Sequence, residues 1–494
     1  MELGFPLAVR LTHFFNILFL SLLIRSGIEI LGAHPMLYWR DDCRPGSEWV
    51  RFTRKRMPSG GLWTAEDEKQ PYSPLVALPG RDHLGLGRYW HFLALGGWIV
   101  TGLLYVVLLF TSAEWQRLVP TSWDIFPRAA SAALDYLQFH LPPEGNPYNA
   151  LQQLTYFAVV FVLSPLQIAT GLAMSPAVAG RFPWFPALFG GRQAARSLHF
   201  IGLLAFVVFT VHHTALVVAH GLTAGLAAIV LGVTSDPTPT ETALAVALTI
   251  LGLAAIVAIH IWATHDSLAD PRRMQDRLQR VVDPPQRLLL QPLVSRQAYS
   301  PRAITEIPRP NGRPPHDSTW QQLAENDFRG FVFEVSGLVE EPFGVSLDEL
   351  RGLGAVTQVT KHNCIQGWSQ VASWTGVPLG TLLDRARPLP GARYLLFRTF
   401  DDKWEHAGDH GYFYETVDLA LARHPQSILA WGMNGAPLSA PFGAPLRLRL
   451  ESQLGYKMVK WVRSAELIAD YRTIGEGKGG WRADVLHYSQ IAPI

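Results

Sequence analysis

Apolar and polar residues divide this chain into two unlike halves. In the first half they form long unbroken apolar runs, and in the second they form short alternating segments. Five runs reach the roughly 20 residues that a helix needs to cross a bilayer. They are Leu7 to Leu31, Trp90 to Phe110, Leu151 to Met174, Leu198 to Leu222 and Ala243 to Ala263, and they predict an all-α bundle of five transmembrane helices over residues 1–268. The first run is too long for a signal-peptide core, has no small-residue cleavage site, and carries Arg25 and Glu29 in its last turns, so it is expected to stay in the protein. Arg25 and Glu29, four apart, are expected to form an ion pair on one helix face.

After Asp266 the apolar pattern stops. Residues 269–300, with Pro271, Arg272, Arg273, Arg277, Arg280, Pro284 and Pro285, read as a basic linker near the membrane surface. From there Phe331 to Val335, Val356 to Thr360, Tyr394 to Phe397 and Leu446 to Leu450 alternate as strands, and Ser346 to Arg351 and Leu379 to Arg385 read as short helices. Residues 301–494 are therefore expected to be a mostly β, α+β domain, with most strands antiparallel.

Composition agrees with this division. The hydrophobic share is 48% and the charged share 17%, and about 16 of the 42 Lys and Arg residues fall before position 270. A net charge of +2 gives no field that would gather nucleic acid. The two cysteines, Cys43 and Cys364, lie in different halves, so no disulfide framework and no CxxC site is expected, and Cys364 can act only as a single thiolate.

Histidines inside apolar helices mark function more often than not. His13 opens the first run, His91 opens the second, and His199 and His213 lie on the fourth. The 14-residue spacing of the last two brings them to nearly one face, about 40° apart, separated by about 21 Å along the axis. That is room for two stacked haems. Because consecutive helices alternate in direction, His91 shares a membrane face with His199 and His13 shares one with His213, and each pair can hold one haem iron. His212 points about 100° away and is the weaker candidate. His220, His260 and His265 show that this chain also places histidines in or near spans without such partners.

These residues and their surroundings resemble the di-haem cytochrome b family of formate dehydrogenase gamma subunits, Ni/Fe-hydrogenase cytochromes and thiosulfate-reductase-type cytochromes. The resemblance covers about residues 1–265 and rests on Arg10 to His13, His34 to Trp39, Arg88 to His91, Tyr148 to Gln152, Thr170 to Pro176 and Arg196 to His199. It implies two b-type haems and electron exchange with membrane quinone or quinol.

In the second half, Cys364 follows a strand directly, within Lys361 to Ser369. A thiolate presented there, among cationic donors and backbone amides, suits a nucleophile or a soft metal ligand, whereas an isolated cysteine is otherwise a small buried hydrophobe. The half as a whole resembles the sulfite oxidase fold family of molybdopterin enzymes. The matching segments are Pro310 to Pro315, Phe333 to Val339, Ser346 to Leu350, Lys361 through Leu379, and Met433 through Val462. The resemblance implies that Cys364 is the molybdenum ligand and the catalytic residue. It also implies that Asn311, Thr399, Arg447, Met458, Val459 and Lys460 hold the pterin, and Arg447 and Lys460 are cationic donors suited to its phosphate and ring nitrogens. At Phe442 this sequence departs from the family, which usually has a polar residue contacting the pterin there. Ile365 to Ser369 resembles the bacterial sulfoxide-reductase branch and lacks the arginine run of sulfite oxidases proper.

Joined, the halves imply a molybdenum-dependent oxidoreductase that takes electrons from quinol through two haems and reduces an S-oxide or N-oxide, such as methionine sulfoxide in proteins. Two alternatives are sulfite-type oxidation with electrons passed to quinone, and a haem carrier whose molybdenum-type domain has become a docking module. The expected location is the bacterial plasma membrane. The charge rule puts the molybdenum domain on the cytoplasmic side, since Lys and Arg crowd the first loop, the third loop and the region after the fifth span; the periplasm is the alternative.

Overall fold

The computed structural model describes residues 5–58, 61–112, 114–142, 148–233, 235–293, 296–402, 411–490 and 492. Five of its helices are long and apolar enough to cross a membrane: Leu7–Ala33, Leu84–Thr111, Ala150–Ala173, Arg192–Leu231 and Pro239–Ala269. Local signals start several of them. Thr238 and Glu241 form a capping box ahead of Pro239, and Asn149 and Gln152 form one ahead of Ala150. The third span opens by one residue per turn at Val159–Leu163, where the Ser164 hydroxyl donates to the Val159 carbonyl. The fourth breaks at Gly221, whose φ of 116° has no place in a regular helix.

Residues 271–290 differ from the expected linker. Pro271–Leu290 is a helix of 20 residues, capped by Asp270, whose side chain accepts from the Arg273 amide. Proline at the first helical position loses no hydrogen bond and presets φ, so Pro271 begins this helix where it was expected to break the chain. Met274, Leu278 and Val282, at four-residue steps, bury one stripe against Leu86, Tyr89 and Trp90 of the second span. Residues 294 and 295, also in the expected linker, lie outside the described set.

The second half is built on two five-stranded sheets. Before them, β1 (Met36–Leu37) and β2 (Val50–Arg51) form a small ribbon in the first loop. One large sheet contains β5 (Val356–Asn363), β6 (Ser369–Pro378), β9 (Ser427–Met433), β10 (Ala436–Pro437) and β11 (Arg447–Leu450), all paired antiparallel. The other runs β4 (Phe343–Ser346), β3 (Val332–Gly337), β12 (Val462–Ile468), β7 (Tyr394–Thr399) and β8 (Tyr414–Asp418). Here β3 and β12 are parallel and the remaining pairs antiparallel. Helices Leu347–Gly352 and Leu379–Ala386 fall where the sequence puts them, and the large apolar core lies among these elements.

The two halves share a buried cluster. Ala33, Met36, Tyr38, Cys43 and Leu84 of the membrane half pack with Cys364, Ile365, Trp368, Leu454 and Tyr456. The second domain therefore sits on the face where the first span ends and the second begins.

Candidate functional site: two histidine pairs and a buried cysteine loop

The bundle brings the four histidines together as two pairs. The rings of His91 and His199 have centroids 6.5 Å apart, and those of His13 and His213 lie 6.3 Å apart. Two metal–nitrogen bonds of about 2 Å each, with the half-width of a ring on either side, fill such a gap. The space suits one iron between each pair.

Neighbouring hydroxyls set the orientation of the rings in one pair. Ser26 Oγ lies 3.0 Å from His91 Nδ1, and Thr170 Oγ1 lies 3.0 Å from His199 Nδ1. Both hydroxyls already donate to helix carbonyls, Ser26 to Leu22 at 2.8 Å and Thr170 to Leu166 at 2.9 Å. Their oxygens are left to accept, so each Nδ1 carries the proton and each Nε2 keeps a lone pair for a metal. Tyr156 OH stands 3.3 Å from His213 Nδ1 in the other pair. His212 is exposed, with Nδ1 3.0 Å from its own helix at the Val208 carbonyl, and His220 meets Tyr136 OH at 2.9 Å. Neither joins a pair.

Arg25 and Glu29 do not form the expected ion pair. Arg25 turns toward the fifth span and the first loop, reaching His260 Nδ1 at 2.8 Å, Thr264 Oγ1 at 2.9 Å and the Ala77 carbonyl at 2.9 Å. Glu29 turns toward the second span and accepts from the His83 amide at 2.6 Å. Partners on packed neighbouring elements outcompete a helical neighbour four residues away.

Cys364 sits in the hairpin loop between β5 and β6, just past the Asn363–Ser369 register pair. Its amide donates to the Trp368 carbonyl at 3.0 Å, and the Gly367 amide donates to the Cys364 carbonyl at 3.1 Å. Gly367 has φ 118°, which only glycine adopts easily, and a Cβ there would lie 3.0 Å from Arg196 Nε. The Cys364 side chain is 1% exposed, with Sγ 3.4 Å from Gln366 Oε1 and 4.0 Å from Asn311 Nδ2. Burial pushes its thiol up to about 11, against the pull of the Arg482 and Arg192 cations. A metal ion would take this sulfur as thiolate and release the proton.

The other residues assigned to the pterin fall into three groups. Asn311, Arg447 and Lys460 surround one region. Lys460 Nζ is 3.4 Å from the Gly312 carbonyl, and a Cβ on Gly443 would lie 3.0 Å from Lys460 Cβ and 3.3 Å from Arg447 Cβ. Burial draws Arg447 down to about 9, and its guanidinium lies over the Trp374 ring at 5.0 Å. Thr399 forms the second group: its hydroxyl proton goes to the Phe413 carbonyl at 2.8 Å, so toward a ligand the side chain can only accept. Met458 and Val459 form the third. Their side chains belong to the apolar core, which leaves only backbone groups for a ligand. Phe442, where the family pattern departs, holds Arg447 through its carbonyl at 3.3 Å.

Among the described residues, buried polar atoms here that find no protein partner include Asn311 Oδ1, Asn363 Oδ1 and Arg447 Nε. Orphans of this kind are costly unless a ligand satisfies them. Donors, acceptors and a buried thiol around one region fit a polar, anionic cofactor with a metal beside Cys364.

Several residues of the site escaped the sequence reading. At the start of the fourth span, Arg192 Nη1 donates to the Gly367 carbonyl at 2.8 Å and to the Trp368 carbonyl at 3.2 Å, and Nη2 reaches the Cys364 carbonyl at 3.4 Å. Gln193 Nε2 donates to the Gly367 carbonyl at 2.8 Å and to Ser369 Oγ at 3.0 Å. Arg196 bonds the carbonyls of His34 and Met36, both at 2.6 Å. The first loop adds a second clamp: Arg309 pairs with Glu68, Arg313 with Asp67, and Gln366 Nε2 donates to Glu66 at 3.0 Å. The arginines lie within two turns of His199, and buried cations so close to a candidate ligand were the available signal.

The comparisons divide the chain at the same place. The prokaryotic cytochrome b561 family model matches residues 4–232, and the oxidoreductase molybdopterin binding domain model matches residues 321–473. A putative protein-methionine-sulfoxide reductase subunit YedZ1 of Azospira oryzae is 37% identical over 150 residues, 30% of this chain and 53% of that protein. The protein-methionine-sulfoxide reductase catalytic subunit MsrP of Xanthomonas campestris is 39% identical over 133 residues, 26% of this chain and 41% of that protein. The chain thus spans about half the length of the curated relatives it matches. A crystal structure of the sulfane dehydrogenase SoxCD from Paracoccus pantotrophus overlaps 28% of this chain and 38% of that one, at 22% identity and a TM-score of 0.25, too slight a likeness to carry an argument. With five spans, two family matches that share no residue, and one polypeptide linking them, the chain is an integral membrane protein that fuses a prokaryotic cytochrome b561 domain to an oxidoreductase molybdopterin-binding domain.

Proposed function

We propose that this protein is a molybdenum-dependent oxidoreductase that draws electrons from membrane quinol through two b-type haems and reduces an S-oxide, with protein-bound methionine sulfoxide the leading substrate. The observation that carries the reading is the direct connection of the histidine-bearing helix to the cysteine loop. The helix that bears His199 and His213 also grips, through Arg192 and Gln193, the carbonyls of the Cys364 loop. The names of the similar proteins add support for sulfoxide reduction.

His13 with His213 would hold the haem farther from the cysteine, and His91 with His199 the nearer one. Cys364 would hold molybdenum, with Asn311, Thr399, Arg447, Lys460 and the backbone of Met458 and Val459 around the pterin. When bound, these groups supply one-electron relay and two-electron oxygen-atom exchange respectively. The protein's own work is to orient and to exclude water. Ser26 and Thr170 fix the tautomers of the nearer histidines, and burial keeps solvent from Cys364. Reduction of a sulfoxide to a sulfide consumes two electrons and two protons and releases water, so the membrane half need only deliver electrons.

The charge rule assigns the molybdenum side to the cytoplasm, with the periplasm as the alternative. Some of the counted cations pair with acids of their own loop, as Arg51 does with Glu48 and Lys69 with Glu66 and Asp82. A C-terminal reporter active only in the periplasm would overturn the cytoplasmic assignment.

The test of function uses detergent-solubilised protein: metal analysis, a dithionite-reduced spectrum, and the response of reduced haem to methionine sulfoxide. One molybdenum and two b haems per chain, with haem oxidation on adding the sulfoxide and none in Cys364→Ser, is the expected result. Haem without molybdenum, or haem reduction by sulfite in place of oxidation by sulfoxide, would refute the proposal.

A further inference from the structure

Arg192 stands at the junction of the two halves, and its surroundings are unusual for an arginine. It is 7% exposed, and its neighbour Gln193 is fully buried. Its guanidinium spends donors on three carbonyls of a five-residue loop, those of Cys364, Gly367 and Trp368, and Nε donates to the Met174 carbonyl at 3.1 Å, where the third span ends. Guanidinium keeps its charge under essentially all conditions, so a full positive charge is held in a dry interface against the cysteine loop. The carboxylate nearby, Asp41, is already paired with Lys361 and also accepts from the Gln193 amide at 2.8 Å. Arg196, one turn on, adds a second buried cation. Seven residues, about 10 Å of helix, separate Arg192 from His199.

Resting on the function proposed above, we infer that Arg192 is a positioning residue that couples the nearer haem to the molybdenum centre. It fixes the Cys364 loop to the helix of His199, and its charge raises the reduction potential of the molybdenum centre. The mechanical part follows from rigidity: a helix and a loop joined by a planar fork of hydrogen bonds hold one mutual geometry, where a single bond would let the loop swing. The electrostatic part follows from charge balance. Each electron added at the cysteine site lowers the local charge by one, and a buried cation stabilises the reduced form. Gln193 carries the grip without charge, so the two contributions can be separated by substitution.

The experiment measures three variants of the full-length, cofactor-loaded protein in detergent: Arg192→Gln, Arg192→Lys and Gln193→Ala. Redox titration followed by the EPR signal of the half-reduced molybdenum centre reads the potential, and stopped-flow oxidation of reduced haem by methionine sulfoxide reads transfer between centres. Arg192→Gln is expected to move the molybdenum potential downward and slow haem oxidation at least about tenfold, the scale of one lost charge-assisted hydrogen bond. Arg192→Lys should keep the potential near wild type while still slowing transfer, because the charge remains and the fork is gone. Gln193→Ala should slow transfer with the potential unchanged. The farther haem should keep its potential in all three. Equal shifts of both haems and molybdenum in Arg192→Gln would indicate general loosening and overturn the inference, as would an unchanged molybdenum potential. Should Arg192→Gln not assemble, the Lys and Gln193 variants decide alone: a lowered potential in Arg192→Lys, or unslowed transfer in Gln193→Ala, overturns it. Absence of molybdenum or haem from the unmutated protein would instead be a failure of the proposed function.

Discussion

Replacing Thr170 by valine removes one oxygen and almost no volume, which isolates the role of the hydroxyl beside His199. Thr170 is fully buried, and its Oγ1 lies 3.0 Å from His199 Nδ1. In Thr170→Val the Nδ1 proton loses its acceptor inside an apolar bundle. An orphaned buried donor costs about 1–3 kcal/mol. At about 1.4 kcal/mol per factor of ten, this predicts a five- to roughly 150-fold loss in affinity for the haem proposed between His91 and His199. The range overlaps the roughly 10- to 100-fold typical of losing a hydrogen bond behind a metal ligand. The leucine carbonyl that Thr170 also bonds stays in its helix ladder, so little of the effect should come from there. The same loss makes the imidazole a weaker base and favours the ferrous state, so the midpoint potential of that haem should rise. Haem content by pyridine haemochrome and a two-wave redox titration would check both points. Ser26→Ala should act on the same wave through His91, whereas Tyr156→Phe should act on the other through His213. A titration in which Thr170→Val moves both waves equally, or neither, would refute the reasoning.

Three further outcomes concern the join between the halves. Arg309→Met strands Glu68, which lies at 7% side-chain exposure and is also 3.2 Å from His34, and removing one partner of such a pair should cost about 3–5 kcal/mol. A lower Tm that the double variant Arg309→Met, Glu68→Gln largely restores would support this, and a single variant as stable as wild type would count against it. Gly85→Ala drives a Cβ into the Leu486 carbonyl oxygen and to within 2.5 Å of that of His487, both backbone atoms that cannot swing aside. The segment Trp481–Val485 and the residues after it should then lift from the second span, seen as faster proteolysis or hydrogen exchange there alone. Burial first, and then the Arg272 cation, lower His487 from 6.5 to about 4, so the docked segment prefers the neutral ring. Its docking should be complete above about pH 6.5 and weaken as pH falls toward 4, because the undocked state takes up the extra proton. Hydrogen exchange of residues 481–490 that does not vary across that window would exclude the titration.

What could be read from the chain and what could not divides by the distance over which each signal acts. The spans follow from composition within one window, and the placing of His199 and His213 on one face from helical periodicity alone. Strands β5 and β7 and the loop of Cys364 follow from alternation and turn residues close in sequence. The parallel pairing of β3 with β12 joins segments about 130 residues apart, and no local pattern encodes it. Helix Pro271–Leu290 is legible in the four-residue steps of Met274, Leu278 and Val282; Pro271 stands at its first position, where proline starts a helix, whereas Pro284 and Pro285 lie inside it and locally read as breakers. The Arg25–Glu29 pair failed because spacing says which side chains can meet on an isolated helix and says nothing of better partners on a packed neighbour. Arg192 was hidden for a related reason. At the head of an apolar span an arginine reads as an ordinary membrane-edge cation, and only the folded chain, with Cys364 some 170 residues later brought beneath it, turns it into a link between the helix of His199 and the Cys364 loop. The same holds for the first loop, whose Asp41, Glu66, Asp67 and Glu68 look like ordinary surface acids until Lys361, Gln366, Arg313 and Arg309 arrive opposite them. Each of these contacts joins a residue of the membrane half to one of the second domain, so the membrane half is itself part of how the cysteine site is built.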